Sequence, residues 1–358
     1  MPVPPLVAPA LSIPPDETLR AARQIRLPEI GDVGQRRLAA ARVCVIGAGG
    51  LGSPVLLYLA SAGVGTIGIV DDDTVDASNL QRQIVFGRDD VGAFKAAVAA
   101  DRVRALSPHT EVVEHREHLD ADNAADVFDG YHLVIDGSDS FDTRYTVADT
   151  CADLGIPLVW GSVLRFDAQA TVFWSAPPVG APITLRDVFP APPPAGEVPN
   201  CAEAGVLGAL CGQLGGILVT EAVKLVCGFG EPLVGRMLVL DALGSRTDEV
   251  PLTPAAPTTA IGRVHVDDLP STDATTLIDV RRPDETAAGV IPGAVTVPLD
   301  DLLADAAAVP VAGITVVYCG QGPRARAAVH ALAAHHPGAD LRILLGGYAA
   351  WSERNISR

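Results

Sequence analysis

The sequence predicts a two-domain α/β protein: a larger domain with an open, mainly parallel sheet wrapped by helices, then a smaller α/β domain. Three observations predict it. Strand-like and helix-like runs alternate along most of the chain, as parallel sheets with helical crossovers require. A glycine cluster follows the first of those strands, in VCVIGAGGLG (43–52). The stretch PLTPAAPTT (251–259) has linker composition and separates two alternations. The length, 358 residues, also exceeds one ordinary core.

The elements follow in order. Residues 1–17, MPVPPLVAPALSIPPDE, are broken by prolines and lack a basic region, which predicts a flexible tail and not a signal peptide. A charged helical region runs from Asp16 to Leu38. The segments ARVCVIG, TIGIVD, TEVVEH, HLVIDG and IPLVWG read as strands, with helical patterns between most of them. A glycine-punctuated helix is expected from Cys201 to Val226, and the strand RMLVLDAL follows it. The apolar run Gly205 to Leu225 contains Gln213, Glu221 and Lys224, so it reads as a buried core helix and not a membrane span. After a linker at 251–261, TLIDV, AVTVP, ITVVYC and LRILLGG are the strands of a second domain, 262–358. The first domain occupies 18–250.

Composition narrows the function. Hydrophobic residues make up 48% of the chain and the formal net charge is −17. That charge argues against nucleic acid or an anionic membrane as the main partner. Six cysteines (44, 151, 201, 211, 227 and 319) are scattered with no Cys-x-x-Cys pair. This is a poor disulfide framework and fits a reducing cytoplasm.

The glycine cluster carries the first chemistry. Gly47, Gly49 and Gly52 fit the G-x-G-x-x-G spacing, with Gly50 in the same loop. Glycine permits the turn, the approach of a phosphate to the backbone, and close helix–strand packing. The helix N-terminus behind it attracts that phosphate. The domain is therefore Rossmann-like. Asp71 ends the strand TIGIVD, about twenty residues on, where a carboxylate accepts from ribose hydroxyls. This much suits a dinucleotide and a mononucleotide alike. Arg82 and Lys95 favour a triphosphate, whose charge is commonly met by cations. Asp136 and Asp139 sit at the carboxyl end of another strand, in VIDGSDSFDTR, placed to hold Mg²⁺ at the phosphates. Singly, such residues are ordinary surface charges or turn caps; their order is what informs.

That order resembles the ThiF/HesA/MoeB-like superfamily, bacterial relatives of ubiquitin-activating enzymes. The matching segments are RAARQIRLPEIGDVGQRRL, GAGGLGSPVLLYLASAGVGTIGIVDDDTVDASNLQRQ, VGAFK, DGSDSFDTRY and PNCAEAGVLGAL. The resemblance implies ATP binding and adenylation of a protein C-terminus. It implies that Asp71 holds the ribose, that Arg82 and Lys95 bind the phosphates, and that Asp139 organises Mg²⁺. Asn79 and Gln83 would flank the pocket. Arg23 matches an arginine that the family extends into a partner subunit's site, which implies a homodimer. Where the family has Asp-Asn, this chain has Asp139-Ser140. Many members also carry two Cys-x-x-Cys pairs; here the first falls on Thr184 and Asp187 and the second region has no cysteine. A structural zinc needs four N or S ligands, so no zinc is expected.

Two cysteines remain as candidates. Asn200 and Glu203 suggest a capping box that puts Cys201 in a first helical turn, where a thiolate is favoured. Some relatives use a cysteine here to handle the activated carrier; the plainer reading is a buried, inert thiol. Cys44, Cys151, Cys211 and Cys227 lie in apolar periodic runs and read as core. Cys319 ends ITVVYC and opens the loop CGQGPR, which Arg324 closes before a helix. Such a loop stabilises a thiolate or persulfide. From Gly262 onward the chain resembles a single rhodanese domain, through LIDVRRPDE, GVIPGAVTVPLDDL, YCGQGPRARAAV and LLGGYAAW. Asp279 and Arg281 match its DVR element, a structural pair, and Gly289–Ile291 reads Gly-Val-Ile where Gly-His-Ile is usual.

An adenylating domain makes a carboxylate electrophilic, and a rhodanese domain carries nucleophilic sulfur. The fusion therefore resembles the adenylyltransferase–sulfurtransferases. It implies a small ubiquitin-like sulfur-carrier protein ending in Gly-Gly as partner, and persulfide or thiosulfate as sulfur donor. Two rival readings stay open on sequence grounds: a nicotinamide-dependent oxidoreductase with a rhodanese appendage, and a non-catalytic module that docks the carrier.

Overall fold

Residues buried on both sides form the central strands. Thr66–Val70 (β2) is buried along its whole length, as is most of Arg42–Ile46 (β1). In a computed structural model, residues 3–193, 204–252, 262–269, 275–320, 323–336 and 338–356 are described. The chain divides into two compact units, residues 1–120 with 126–254, and 121–125 with 255–358.

The first unit holds an eight-stranded sheet. Beside β1 and β2 it contains Glu111–His115 (β3), Leu133–Asp136 (β4), Leu158–Leu164 (β5), Asp167–Phe173 (β6), Arg236–Asp241 (β7) and Arg246–Pro251 (β8), in the order β3-β2-β1-β4-β5-β6-β7-β8. The strands β3 to β5 in that order are parallel, and β5 to β8 pair antiparallel. Register decides where chemistry can occur. Ile46 lies opposite Val70 on one side and Asp136 on the other. The carboxyl ends of β1, β2 and β4 are thus level, and their following loops meet at one edge, where open α/β sheets bind ligands.

The helix Gly52–Ala62 starts just beyond β1 and ends at Gly63, whose φ of 80° closes it in the left-handed region. The apolar helix Gly208–Cys227 is long enough by composition to cross a membrane. Here it packs on Gly52–Ala62 and on β5 and β6, burying Leu210, Leu214, Leu218 and Leu225 completely or nearly so. It is a core helix.

Three expectations need correction. The helix expected from Cys201 is interrupted before Gly208. Gly205 takes a φ of 80°, and Val206 pairs with Arg165, whose carbonyl accepts from Leu207 N at 3.0 Å. The suggested cap at Asn200 and Glu203, and Cys201 itself, lie outside the described residues. The N-terminal segment is not a loose tail: Val3 and Val7 are buried in the first unit's core, and Leu6 N donates to Leu225 O at 3.0 Å. Apolar residues between its prolines supply the burial that fixes it. Finally, β6 and β8 were not expected. β8 is an exposed, charged edge strand without an apolar face, the form that protects a sheet edge.

The second unit is a five-stranded parallel sheet. Its strands are Gly262–Val264 (β9), Thr275–Asp279 (β10), Val295–Thr296 (β11), Ile314–Tyr318 (β12) and Asp340–Leu344 (β13), in the order β11-β10-β12-β13-β9. The helix Pro323–His335 follows the central strand β12, and Gly347–Ile356 follows β13.

Two consequences can be measured. A Cβ at Gly52 would collide with the carbonyl oxygen of Gly47. Gly52→Ala should therefore cost about 2 kcal/mol through overpacking, a fall in Tm of ~4–8 °C; an unchanged melt would show that this turn is not close-packed. At Thr184 and Asp187, the backbone N–H and hydroxyl of Thr184 donate to Asp187 Oδ2 at 2.7 and 2.8 Å. Arg186 between them grips Asp149 with two bonds of 2.8 Å. These polar links occupy the positions where the first zinc pair would fall, and chelators are expected to leave the melting temperature unchanged. Stoichiometric zinc by elemental analysis, removed with loss of stability, would refute this.

Candidate functional site

A cleft of about 300 Å³ opens at the level carboxyl ends of β1, β2 and β4. Gly47, Gly49 and Gly50 form one wall, and Asp71, Arg82, Gln83, Lys95 and Asp139 complete much of the rest. These eight positions, spread from residue 47 to residue 139, thus converge, because parallel strands deliver their loops to the same edge.

Asp71 ties the glycine loop to β2. Its Oδ2 accepts from Ala48 N at 2.7 Å and its Oδ1 from Asp73 N at 3.0 Å. Burial pushes its carboxyl up, and the Lys95 charge opposes that. Lys95 begins the helix Lys95–Leu106; it is 7% exposed and its Nζ lies 2.7 Å from Asp73 Oδ2. Arg82 is half-buried, with Nη1 donating to Ser78 O at 3.2 Å. Gln83 is buried in the cleft wall, and its Oε1 has no hydrogen-bond partner among the described residues.

Behind the opposite wall, Asp136 ends β4 fully buried and does not line the cleft, so it is not placed to hold Mg²⁺ as the sequence suggested. Its Oδ1 accepts from the N–H and hydroxyl of Ser138 at 2.9 and 2.6 Å. Burial pushes its carboxyl up; Arg144 opposes this. Asp139 is exposed on the loop between β4 and the helix Phe141–Leu154, which Ser140 caps by accepting from Thr143 N at 3.4 Å. A carboxylate here is a hard oxygen donor beside a phosphate-sized space, the environment Mg²⁺ takes with one or two carboxylates and substrate oxygens. No cluster of three or more His, Cys, Asp or Glu side chains able to hold a metal occurs among the described residues.

Three sequence candidates lie elsewhere. Gly52 sits beneath the loop as its packing residue and does not line the cleft. Asn79 also stands back. Its Oδ1 accepts from Asp76 N at 3.2 Å, and its carbonyl accepts from Arg82 N and Gln83 N at 3.0 and 2.9 Å. It holds the turn that presents Arg82 and Gln83, because a capping geometry claims its side chain. Arg23, on the short helix Ala22–Ile25, is exposed and outside the cleft of its own chain. Sequence reading missed Arg144, which lines the cleft. It also placed Cys211 only in the core; that residue is buried and forms part of the cleft wall. Burial pushes the thiols of Cys44, Cys151 and Cys227 up, the last to about 11, so they stay protonated.

In the second unit Cys319 follows β12 directly and is 1% exposed. Its carbonyl accepts from Tyr348 N at 2.8 Å and that of Gly320 accepts from Ala349 N at 3.1 Å, so the first turn of Gly347–Ile356 fixes the loop's start. Residues 321–322 of the loop lie outside the description. Arg324 donates through Nη1 and Nη2 to Glu285 at 2.7 and 2.8 Å. That pairing holds the Glu285 carboxyl down at about 2, against some opposition from burial. Asp279 and Arg281 form a buried pair, 0% and 4% exposed, with Arg281 Nη2 also donating to Gly289 O at 2.7 Å.

The chain is similar to known proteins over its whole length. It is 43% identical over 382 residues to the Mycobacterium tuberculosis protein named "Probable adenylyltransferase/sulfurtransferase MoeZ", covering 98% of this chain and 97% of that one. It is 47% identical over 230 residues to the sulfur carrier protein adenylyltransferase of Thermus thermophilus, 64% of this chain and 84% of that one. The crystal structure of PaaA shares the fold, with a TM-score of 0.58, 23% identity, and 68% and 76% of the two chains covered. The model of a rhodanese-like domain matches residues 265–354, and that of the ThiF family matches residues 21–260. The chain therefore belongs to the ThiF family and carries a rhodanese-like domain behind the ThiF domain.

Proposed function

We propose that this protein is an ATP-dependent adenylyltransferase and sulfurtransferase that converts the C-terminal glycine carboxylate of a small ubiquitin-like sulfur-carrier protein into a thiocarboxylate. One observation carries the reading. A single chain holds a glycine-loop cleft lined by Arg82, Lys95 and Asp139, and a second unit with a cysteine at a strand end before a loop closed by arginine. Relatives at 43% and 47% identity bear names for these same activities.

In the cleft, Asp71 has lone pairs left for ribose hydroxyls after accepting from Ala48 and Asp73. The glycine-loop amides, Arg82 and Lys95 meet the phosphates. Lys95 exchanges its Asp73 partner for a phosphate at little cost, since Asp73 is exposed and regains water. Gln83 flanks the ligand as part of the cleft wall. Asp139 would hold Mg²⁺, which supplies Lewis-acid neutralisation of phosphate charge. A carrier carboxylate oxygen attacks the α-phosphorus and pyrophosphate leaves, giving an acyl adenylate. The cationic wall stabilises charge as it develops.

The second unit then supplies sulfur. A persulfide on Cys319, loaded from a persulfide or thiosulfate donor, attacks the acyl carbon through its terminal sulfur and AMP leaves. Cys201 thiolate then attacks the Cys319 sulfur, releasing the thiocarboxylate and leaving a Cys201–Cys319 disulfide. A dithiol reductant restores both thiols. Arg23 is assigned to the cleft of a second copy, in a homodimer.

Asp139→Ala and Arg82→Ala should each lower carrier-dependent ATP–pyrophosphate exchange by about 100-fold or more while the protein stays folded. Normal exchange in both variants would show that the adenylation site is elsewhere. Cys319→Ala should keep exchange intact and abolish sulfur transfer from thiosulfate to cyanide. The mass of the carrier after reaction reads out the product, because oxygen is replaced by sulfur. A carrier that gains this mass normally with Cys319→Ala, thiosulfate being the sole sulfur source, would remove Cys319 from its role.

A further inference from the structure

The Gly137–Ser140 loop presents Asp139, yet Asp139 itself is exposed and cannot fix its own position. Its neighbours are fixed instead. On the near side, Gly137 N donates to Ile46 O at 2.9 Å, and Ser138 is bound to Asp136. Beyond Asp139, Ser140 is held at the helix start, its Oγ accepting from Thr143 N and its carbonyl from Arg144 N at 3.1 Å, and the Arg144 side chain reaches back to Ser138. Its Nε and Nη2 both donate to Ser138 O, at 3.2 and 2.9 Å. Its Nη1 donates to Ser162 Oγ on β5 at 2.8 Å. The guanidinium lies 5.6 Å from the Trp160 ring centroid and 6.0 Å from that of Phe141, at cation–π range.

We propose that Arg144 is a positioning residue for adenylation: by tying the Ser138 carbonyl to β5 it holds Asp139 at the wall of the nucleotide cleft. The proposal rests on the reading of that cleft as an adenylation site. The hydrogen-bond pattern favours positioning over direct ligand binding. Three of the guanidinium's nitrogens are committed to protein oxygens, and its faces to aromatic rings. A planar fork is what this task needs, since one side must chelate a carbonyl while the other reaches a hydroxyl. Lysine offers a point charge and no fork.

The test uses the full-length protein with its carrier and ATP–pyrophosphate exchange. Arg144→Ala should lower kcat by about 10- to 100-fold, the range for losing a residue that orients a reactive group. KM for ATP should hold within about twofold, and the Mg²⁺ concentration for half-maximal rate should rise, as a displaced carboxylate requires. Arg144→Lys should recover only part of kcat. Because Arg144 acts through Asp139, adding Arg144→Ala to Asp139→Ala should cost little more than Asp139→Ala alone. Ser162→Ala removes one strut and keeps the fold if Arg144→Ala does not. It should lower kcat in the same direction by a smaller factor. Multiplying losses in the double variant, or a raised KM for carrier with kcat and Mg²⁺ dependence unchanged, would overturn the assignment. So would full activity of Ser162→Ala and Arg144→Lys together. A wild-type protein without carrier-dependent exchange would instead overturn the adenylation reading, and this inference with it.

Discussion

The first unit depends on a crowded meeting of main chains at the carboxyl end of β1. Gly52 lies so near the Gly47 carbonyl that no side chain fits, and a Cβ on Gly137 would stand 3.1 Å from Gly52 N. Three glycines from two loops thus let the turn after β1, the helix behind it and the loop after β4 share one small space. Gly137 N closes the contact by donating to Ile46 O. Asp71 adds β2 to the same knot through Ala48 N. The phosphate-facing amides and the Asp139 loop are therefore parts of one rigid object, and a shift in either strand would be felt at both walls of the cleft.

The cleft gathers cations within an acidic chain, interleaved with carboxylates. The protein carries a formal charge of −17, yet Arg82, Lys95 and Arg144 all line one cavity. Carboxylates intermixed with them, Asp71, Asp73 and Asp139, keep the unliganded site from accumulating repulsive positive charge. The Lys95–Asp73 pair is the clearest case, a buried ammonium held by an exposed carboxylate. A nucleotide phosphate is a better partner for such an ammonium, being more highly charged and presented from the cleft.

The parts of this design that were legible in the sequence are those with a local signature. Apolar β-branched runs gave the parallel strands, and glycine spacing with Asp71, Arg82, Lys95 and Asp139 placed most of one wall. What escaped depends on long-range pairing. Arg144 looks like any helical arginine until β5 brings Ser162 and Trp160 beside it. The strand β8, with all six residues exposed, has no hydrophobic period to read. The family resemblance implies Asn79 at the pocket, but a local cap claims its side chain. The helix expected from Cys201 fails at Gly205 because a non-local partner, Arg165, makes a left-handed turn there worthwhile. The N-terminal valines were invisible as core, because their burial is supplied by helices hundreds of residues away.

The second unit applies the same economy to a thiol. Arg281 and Arg324 divide the labour. Arg281 is wholly internal, bonded to Asp279 and lying 3.7 Å from the Tyr348 ring centroid. Its charge is compensated and unreachable, and breaking such a buried pair is more costly than its net contribution to stability. Through Tyr348 it fixes the start of the helix Gly347–Ile356, whose N–H groups hold the Cys319 and Gly320 carbonyls. Arg324 is different: it belongs to the loop itself and is restrained by Glu285, a residue of the same first turn after β10. The strand that anchors Arg281 therefore also leads into the segment that restrains Arg324. Cys319–Gly320 on one side and Arg324 on the other are thus both referred to β10.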